Sequence, residues 1–275
     1  MKRLTHLVAA VAIGALSLTA GCGTPNARAP LAKPVATPPP ATVSQSPAPA
    51  KPAPAKPNPA LAGEHLAGFF TQSQQMDVKL RHAAALINAG FVGHTVQVDR
   101  ATIDAIREIQ PWTLARTIPG GLDRDLQRSV LLVYSDLAAR RAAMNGVIEY
   151  ASGEPLPRDS VEGRHLLACL ANGSRAAATF KEHLTAARTA ASVATLTLAA
   201  PTSRQAAEAA IQARYIEKHN NGCDACGGYI LRDLPPLTWK STVEHGDRFD
   251  GTVGGVLFQA RYQAAQGWTV SLNAC

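Results

Sequence analysis

Twelve of the nineteen prolines fall within the forty residues 23–62, interleaved with Ala, Lys, Thr and Ser, as in Pro38-Pro39-Pro40. Proline fixes φ and has no backbone N–H, so such a stretch suits neither a helix interior nor a sheet. It also carries too few large apolar groups to offset the entropy of ordering it. The segment reads as a polyproline II spacer, and at roughly 3.1 Å per residue its forty residues reach about 120 Å. What can build a core is therefore residues 63–275. A chain of that length needs neither a metal nor a disulfide merely to fold.

Ahead of the spacer, Lys2 and Arg3 form a positive start, and Leu7 to Leu18 form an apolar run interrupted only by Gly14 and Ser17. The run is shorter than the roughly 20 apolar residues a bilayer span needs and has the length of an export signal. Leu18-Thr19-Ala20-Gly21-Cys22 follows directly. This stretch resembles the lipobox of bacterial lipoproteins in its small residues Ala20 and Gly21 and in its position. Thr19 departs from the pattern, since the leucine lies one residue further out, at Leu18. The resemblance covers residues 1–22 alone. It implies cleavage before Cys22, attachment of diacylglycerol and palmitate there, and a lipid-anchored protein on the extracytoplasmic face of the cell membrane. With the spacing of the remaining residues taken into account, the expected layout is a signal peptide over 1–21, a lipidated cysteine and tether over 22–62, a helical region over 63–228 and a sheet over 229–275.

The formal charge of +7 is unevenly distributed. Residues 1–62 hold Lys2, Arg3, Arg28, Lys33, Lys51 and Lys56 and no acidic residue, whereas 63–275 carry 21 basic and 20 acidic residues. The part that folds is close to neutral, which argues against a nucleic-acid partner. The basic tether suits an anionic lipid surface, where each cation near the headgroups contributes about 1 kcal/mol.

From Gly63 the spacing turns helical. Leu66, Phe69, Met76, Leu80, Ala83 and Ile87 recur at three and four residues up to a stop at Gly90. A shorter helix is expected after Asp99, carrying Ile103, Ile106 and Ile109 and ending before Pro111. A long one is expected from about Leu126 to Ile148 with Asp123 or Asp125 at its start. Val161 to Val193 reads as helical with a break at Asn172-Gly173, where Ser174 caps the second half. The last helix is expected to start at Thr202, with Gln205 completing a capping box, and to run to Asn221-Gly222. After residue 228 the period becomes two. Leu237, Trp239 and Val243 alternate with polar residues, followed by Phe258, Ala260 and Tyr262, then Trp268, Val270 and Leu272, with turns at Asp250-Gly251 and Gln266-Gly267. The expectation is an α+β fold: an antiparallel helical bundle of four main helices followed by a small C-terminal antiparallel sheet, tied by disulfides.

With Cys22 lipidated, four cysteines remain, and an even number in an exported chain suggests two disulfides among Cys169, Cys223, Cys226 and Cys275. The favoured connectivity brings both Cys169 and Cys275 to the Cys223/Cys226 corner. The alternative joins Cys223 to Cys226 and Cys169 to Cys275. A redox Cys-x-x-Cys needs a strand before it and a helix after it, the reverse of the order here, and a four-thiolate zinc site suits a reducing compartment better.

Few residues suggest chemistry. His245, Asp247 and Asp250 share one short stretch that could supply ligands or an acid–base pair, against the plainer reading of a polar hairpin loop. His65, His82, His94, His165, His183 and His219 are scattered, and Gly-x-Ser-x-Gly, His-Glu-x-x-His and P-loop patterns are absent from the sequence. No catalytic residue, metal or cofactor is assigned. The expected function is a non-catalytic binding or interaction module of the cell envelope, with an envelope protein or a small molecule as partner. The alternative is an extracytoplasmic hydrolase using the His245/Asp247/Asp250 loop.

Overall fold

The computed structural model describes residues 60–151, 153–223, 228–229, 231–240 and 246–273. The signal, Cys22, the proline-rich segment, Cys226, His245 and Cys275 lie outside the described residues. Strand β1 (Ala60–Leu61) leads directly into α1 (Ala62–Ala89), which buries Leu66, Phe69, Leu80, Ala83 and Ile87 as the helical spacing requires. Gly90 ends it, with an ordinary φ of −75°. The glycine is needed for contact: a Cβ there would lie 2.3 Å from the Gln97 carbonyl oxygen.

Two short strands, β2 (Phe91–Val92) and β3 (Thr95–Val96), precede α2 (Arg100–Arg107). The Asp99 carboxylate caps α2 by accepting the Thr102 N–H at 2.7 Å. A 3-10 turn over Pro111–Thr117 leads to α3 (Arg124–Ala143), capped by Asp123, which accepts from the N–H groups of Asp125 and Leu126. The expected continuation to Ile148 is a separate short helix, α4 (Asn145–Tyr150), because the chain breaks at Met144. Leu156–Pro157 form β4, which pairs with β3.

Helix α5 (Val161–Val193) is continuous, contrary to the expected break at Asn172-Gly173. Ser174 does not cap it; its hydroxyl donates to the Leu170 carbonyl within the helix, and the cap is Ser160. Gly173 lies where α5 crosses α3, and a Cβ there would come 2.8 Å from Ala143 Cβ. A glycine read as a helix breaker is thus a close-approach residue. Gly173→Val is expected to cost at least about 1–3 kcal/mol by overpacking this crossing, measured by urea unfolding. A variant as stable as the wild type would show that the helices part freely here.

Beyond β5 (Thr195–Leu196), which pairs with β1, the chain enters α6 (Arg204–Lys218). Its cap is Ser203, accepting the Ala206 N–H at 3.1 Å, so the capping box proposed for Thr202 and Gln205 is displaced by one residue. The chain then passes through a π-helical turn over His219–Cys223. Helix α3 lies at the centre. From Val133 to Ala143 every residue is buried, and α1, α5 and α6 all pack on it.

The directions of the helices also differ from expectation. Asp136 meets His183 while Arg140 lies near Gly173, so α5 runs antiparallel to α3. Gln127 meets Gln212 and Asn145 meets Asn221, so α6 runs parallel to α3. The bundle is not antiparallel throughout: α3, α5 and α6 alternate, but α1 also runs parallel to α3, with Asp77 at Arg140 and Ile87 in one cavity with Met144, because residues 90–123 return the chain to the end from which α1 departed.

The C-terminal sheet has the order β6 (Leu237–Trp239), β7 (Arg248–Val253), β8 (Val256–Gln263) and β9 (Gly267–Asn273), all antiparallel. Its inward face carries Phe249, Val253, Phe258 and Ala260, with Trp268, Val270 and Leu272 beside them, against Ala207 and Ile211 of α6. The turn expected at Asp250-Gly251 is at Gly254-Gly255, whose φ values of 54° and 83° are those a tight two-residue hairpin demands. Gly251 lies inside β7, where a Cβ would meet the Phe258 ring at 2.8 Å. The second turn precedes Gly267, at φ 72°, close to its expected position.

Candidate functional site

Because every residue of α3 from Val133 to Ala143 is buried, the polar side chains of that stretch must find partners inside. Asp136 and Arg140, one turn apart, are 8% and 4% exposed. Asp136 accepts from the Thr179 hydroxyl at 3.0 Å, and its other oxygen lies 2.7 Å from His183 Nδ1. Arg140 donates to Asp77 of α1 at 2.6 Å, and Arg81 reaches the second Asp77 oxygen at 3.0 Å. A charged relay thus runs from α1 through α3 to α5.

Burial holds the Asp136 carboxyl above its ordinary value of 3.8, against the opposing influences of His183, Thr179 and Arg140. A carboxyl whose folded pKa is raised contributes stability that is full below the unfolded value and is lost as the pH climbs through the folded one. Asp136→Asn is therefore expected to gain on the wild type as the pH rises from 3.8 towards neutrality, read as the difference in urea unfolding free energy. A difference that shrinks over that range would contradict the assignment.

His183 and Asp136 open onto a groove of about 370 Å³ shared with Ser135, Arg175 and Tyr229. Burial, with Tyr215 adding to it, pushes the Tyr229 phenol up to about 12, so it stays a neutral donor. A carboxylate that fixes one imidazole nitrogen leaves the other for a proton or a ligand, but this pair also closes the α3–α5 interface.

A larger groove, about 770 Å³, runs along α6 from Ala206 to Glu217, a length of about 16 Å at 1.5 Å per residue. The 3-10 turn supplies one wall through Trp112 and Arg116, and β9 with the end of β8 supplies the other through Trp268 and Tyr262. Trp268 is fixed in place: it stacks on Phe249 at 5.3 Å, and its indole N–H donates to the Pro201 carbonyl at 3.0 Å. Arg214 pairs with Glu217 at 2.8 Å, whereas Arg116 is exposed and enters no ion pair among the described residues. The groove thus combines aromatic faces with one uncompensated positive charge. That pairing of features belongs to ligand sites, which are concave, mostly apolar and furnished with a few polar groups.

No protein-family model, no curated protein and no solved structure matches this chain. What the grooves do must be argued from their own residues.

Among the described residues, the structure does not gather Asp247 and Asp250 into a site. Asp250 stands within β7 opposite Gln259, with Arg248 Nε 3.7 Å from its carboxylate. Asp247 lies three residues earlier, where its carbonyl accepts the Tyr262 N–H at 2.7 Å. Three residues apart in extended chain, the two carboxylates point to opposite faces. Among the described residues no three His, Cys, Asp or Glu side chains cluster as metal ligands.

Asp136, Arg140 and His183 were missed as a group, although α3 carried a signal. Asp136 and Arg140 stand one turn apart within the mostly apolar stretch from Leu131 to Met144. Trp112 and Trp268 come from distant parts of the chain and had no local sign of meeting.

Proposed function

We propose that this protein is a lipid-anchored binding module of the bacterial cell envelope, held to the membrane through Cys22 and engaging its ligand with the groove along α6. The single observation that carries the binding role is that open groove, lined by Trp112, Tyr262 and Trp268 with Arg116 unpaired at its wall. The anchor rests on the resemblance of residues 1–22 to lipoprotein signals. Among the described residues no helix is long and apolar enough to cross a membrane. The hydrolase reading draws no support from Asp247 and Asp250, which stand apart.

The two parts of the proposal have separate tests. Cells fed an alkyne-bearing palmitate should label the wild type and not Cys22→Ala; equal labelling would remove the anchor. A photo-crosslinking amino acid at Arg116 should capture a ligand on intact cells, whereas one at Leu257, exposed on the opposite face of the sheet, should not. Identical products from both positions would remove the groove.

We further propose that Cys169 and Cys275 each bridge to the Cys223/Cys226 corner. Cys169 is buried in α5, one turn before Asn172, and a Cβ on Gly228 would lie 3.2 Å from the Asn172 amide nitrogen. Asn221, at the other end of the corner, accepts from Asn145, next to Gly146, where a Cβ would lie 3.8 Å from the Cys169 sulfur. At the sheet's end, Lys218 of α6 donates to the Leu272 carbonyl at 3.1 Å, which supports a Cys275 bridge to the same corner.

A further inference from the structure

We infer that the ligand of the α6 groove is an extended, acidic peptide segment of another protein, which pairs with β9 as a fifth strand of the sheet. The inference rests on the binding-module reading and adds to it the chemistry of the occupant.

The hydrogen-bond parity of the sheet carries the argument. The Tyr262 N–H donates towards β7, to Asp247, so the even-numbered residues of β8 bond on that side and the odd-numbered ones bond to β9. Opposite Arg261 and Gln259 stand Thr269 and Ser271, which exchange hydrogen bonds with β8. Trp268, Val270 and Leu272 therefore turn their backbone groups to the open edge. The Leu272 carbonyl obeys this rule by accepting from Lys218 Nζ at 3.1 Å.

Lys218 covers only that end of the strand. The N–H and C=O groups of Trp268 and Val270 have no backbone partner outside the sheet among the described residues, and both residues line the groove. Four backbone groups thus point into a channel about 16 Å long, which accommodates roughly four to five residues of extended chain at 3.3 Å each.

An exposed strand edge is a template for another strand, and natural proteins usually cover or blunt it. Here the edge is open where an aromatic and apolar trough lies beside it. Peptides that bind by strand addition gain affinity from main-chain hydrogen bonds and specificity from pockets for alternate side chains. One set of side chains would meet Trp112 and the alanines of α6, Ala206 and Ala210. The wall's charge selects the other feature: Arg214 is already matched by Glu217, while Arg116 is unmatched, so an acidic side chain complements the site.

The test is a selection from a random twelve-residue peptide library displayed on phage, against the full chain in detergent, followed by binding and amide-exchange measurements. Enriched peptides should carry at least one acidic residue among β-branched ones and should slow exchange at the Trp268 and Val270 amides. Val270→Pro removes an N–H that faces away from β8, so the β8–β9 ladder keeps its bonds. It should weaken those peptides at least about tenfold, and Val270→Ala, which trims the same packing but keeps the N–H, should weaken them far less. Arg116→Glu should weaken them by a similar factor and Arg116→Lys much less.

No enrichment, or enriched peptides that leave both amides exchanging as before, would overturn strand addition. If crosslinking from Arg116 still captures a ligand on cells in that case, the binding-module reading stands and only the strand-pairing inference fails. Concentration-dependent dimers that protect the same two amides without peptide would assign the edge to a second copy of this chain and also overturn the inference.

Discussion

Replacing Arg140 by alanine is expected to lower the unfolding free energy by about 3–5 kcal/mol, the range for breaking a buried ion pair from one side. Its side chain is only 5% exposed, and its guanidinium donates to Asp77 at 2.6 Å, lies over the Phe180 ring at 5.8 Å and holds down the pKa of Asp136. Truncation leaves Asp77 with Arg81 alone, whose side chain is 67% exposed and worth little as a partner. It also leaves Asp136, already disfavoured by burial, without the cation one turn away. Arg140→Met, which keeps most of the volume, separates the packing loss from the charge loss, and Arg140→Lys should fall between the wild type and alanine. Chemical denaturation at pH 7 decides the matter: a loss below about 1 kcal/mol for alanine would mean that the relay is ornamental.

Loss of the proposed bridge at Cys169 is the second large effect. Cys169→Ala is expected to cost about 2–5 kcal/mol, the usual range for removing a native disulfide. Its diagnostic is the response to reductant. Reduced and oxidised wild type should differ by most of that amount, while the variant should respond only through its remaining bridge. Mapping of the oxidised chain should give a fragment that joins the region of α5 around Cys169 to the 223–226 corner. A Cys169 peptide recovered joined to Cys275, or with its thiol free, would refute the connectivity.

The periodic parts of the fold were legible in the sequence. The apolar spacing of α1 and the alternation of β8 and β9 marked those elements, because each packs one face against a core and exposes the other. Glycine was read less well. Local sequence predicts a helix break at Gly173 and a turn at Gly251, yet each is a place where a Cβ would strike a neighbour from another element, Ala143 or the Phe258 ring. Nothing local distinguishes a glycine kept for backbone freedom from one kept for close approach. Strands of two residues, β1 to β5, are too short to show alternation and form only because a partner is brought to them.

The candidate sites were less legible, for the same reason. The wall of the α6 groove comes from residues near 112, 200, 214 and 268, which meet only after folding. The parallel course of α1 beside α3 depends on a connection, residues 90–123, whose direction no periodicity records. Asp247 and Asp250 are close in sequence, but closeness along extended chain turns side chains to opposite faces when their spacing is odd.

The chain enters its folded part through β1, two residues held to β5 by pairing of Ala60 with Leu196 and Leu61 with Thr195, and the Ala62 N–H then bonds to the Ala194 carbonyl at 2.8 Å. If the proposed anchor at Cys22 holds the chain, this clip is where mechanical load arrives. Such tension would be shared between the start of α1 and the end of α5 before it reached the central helix, and the ladder would work as a strain relief. Its few hydrogen bonds would yield first, while the C-terminal sheet, beyond α5 in the chain, would stay unloaded.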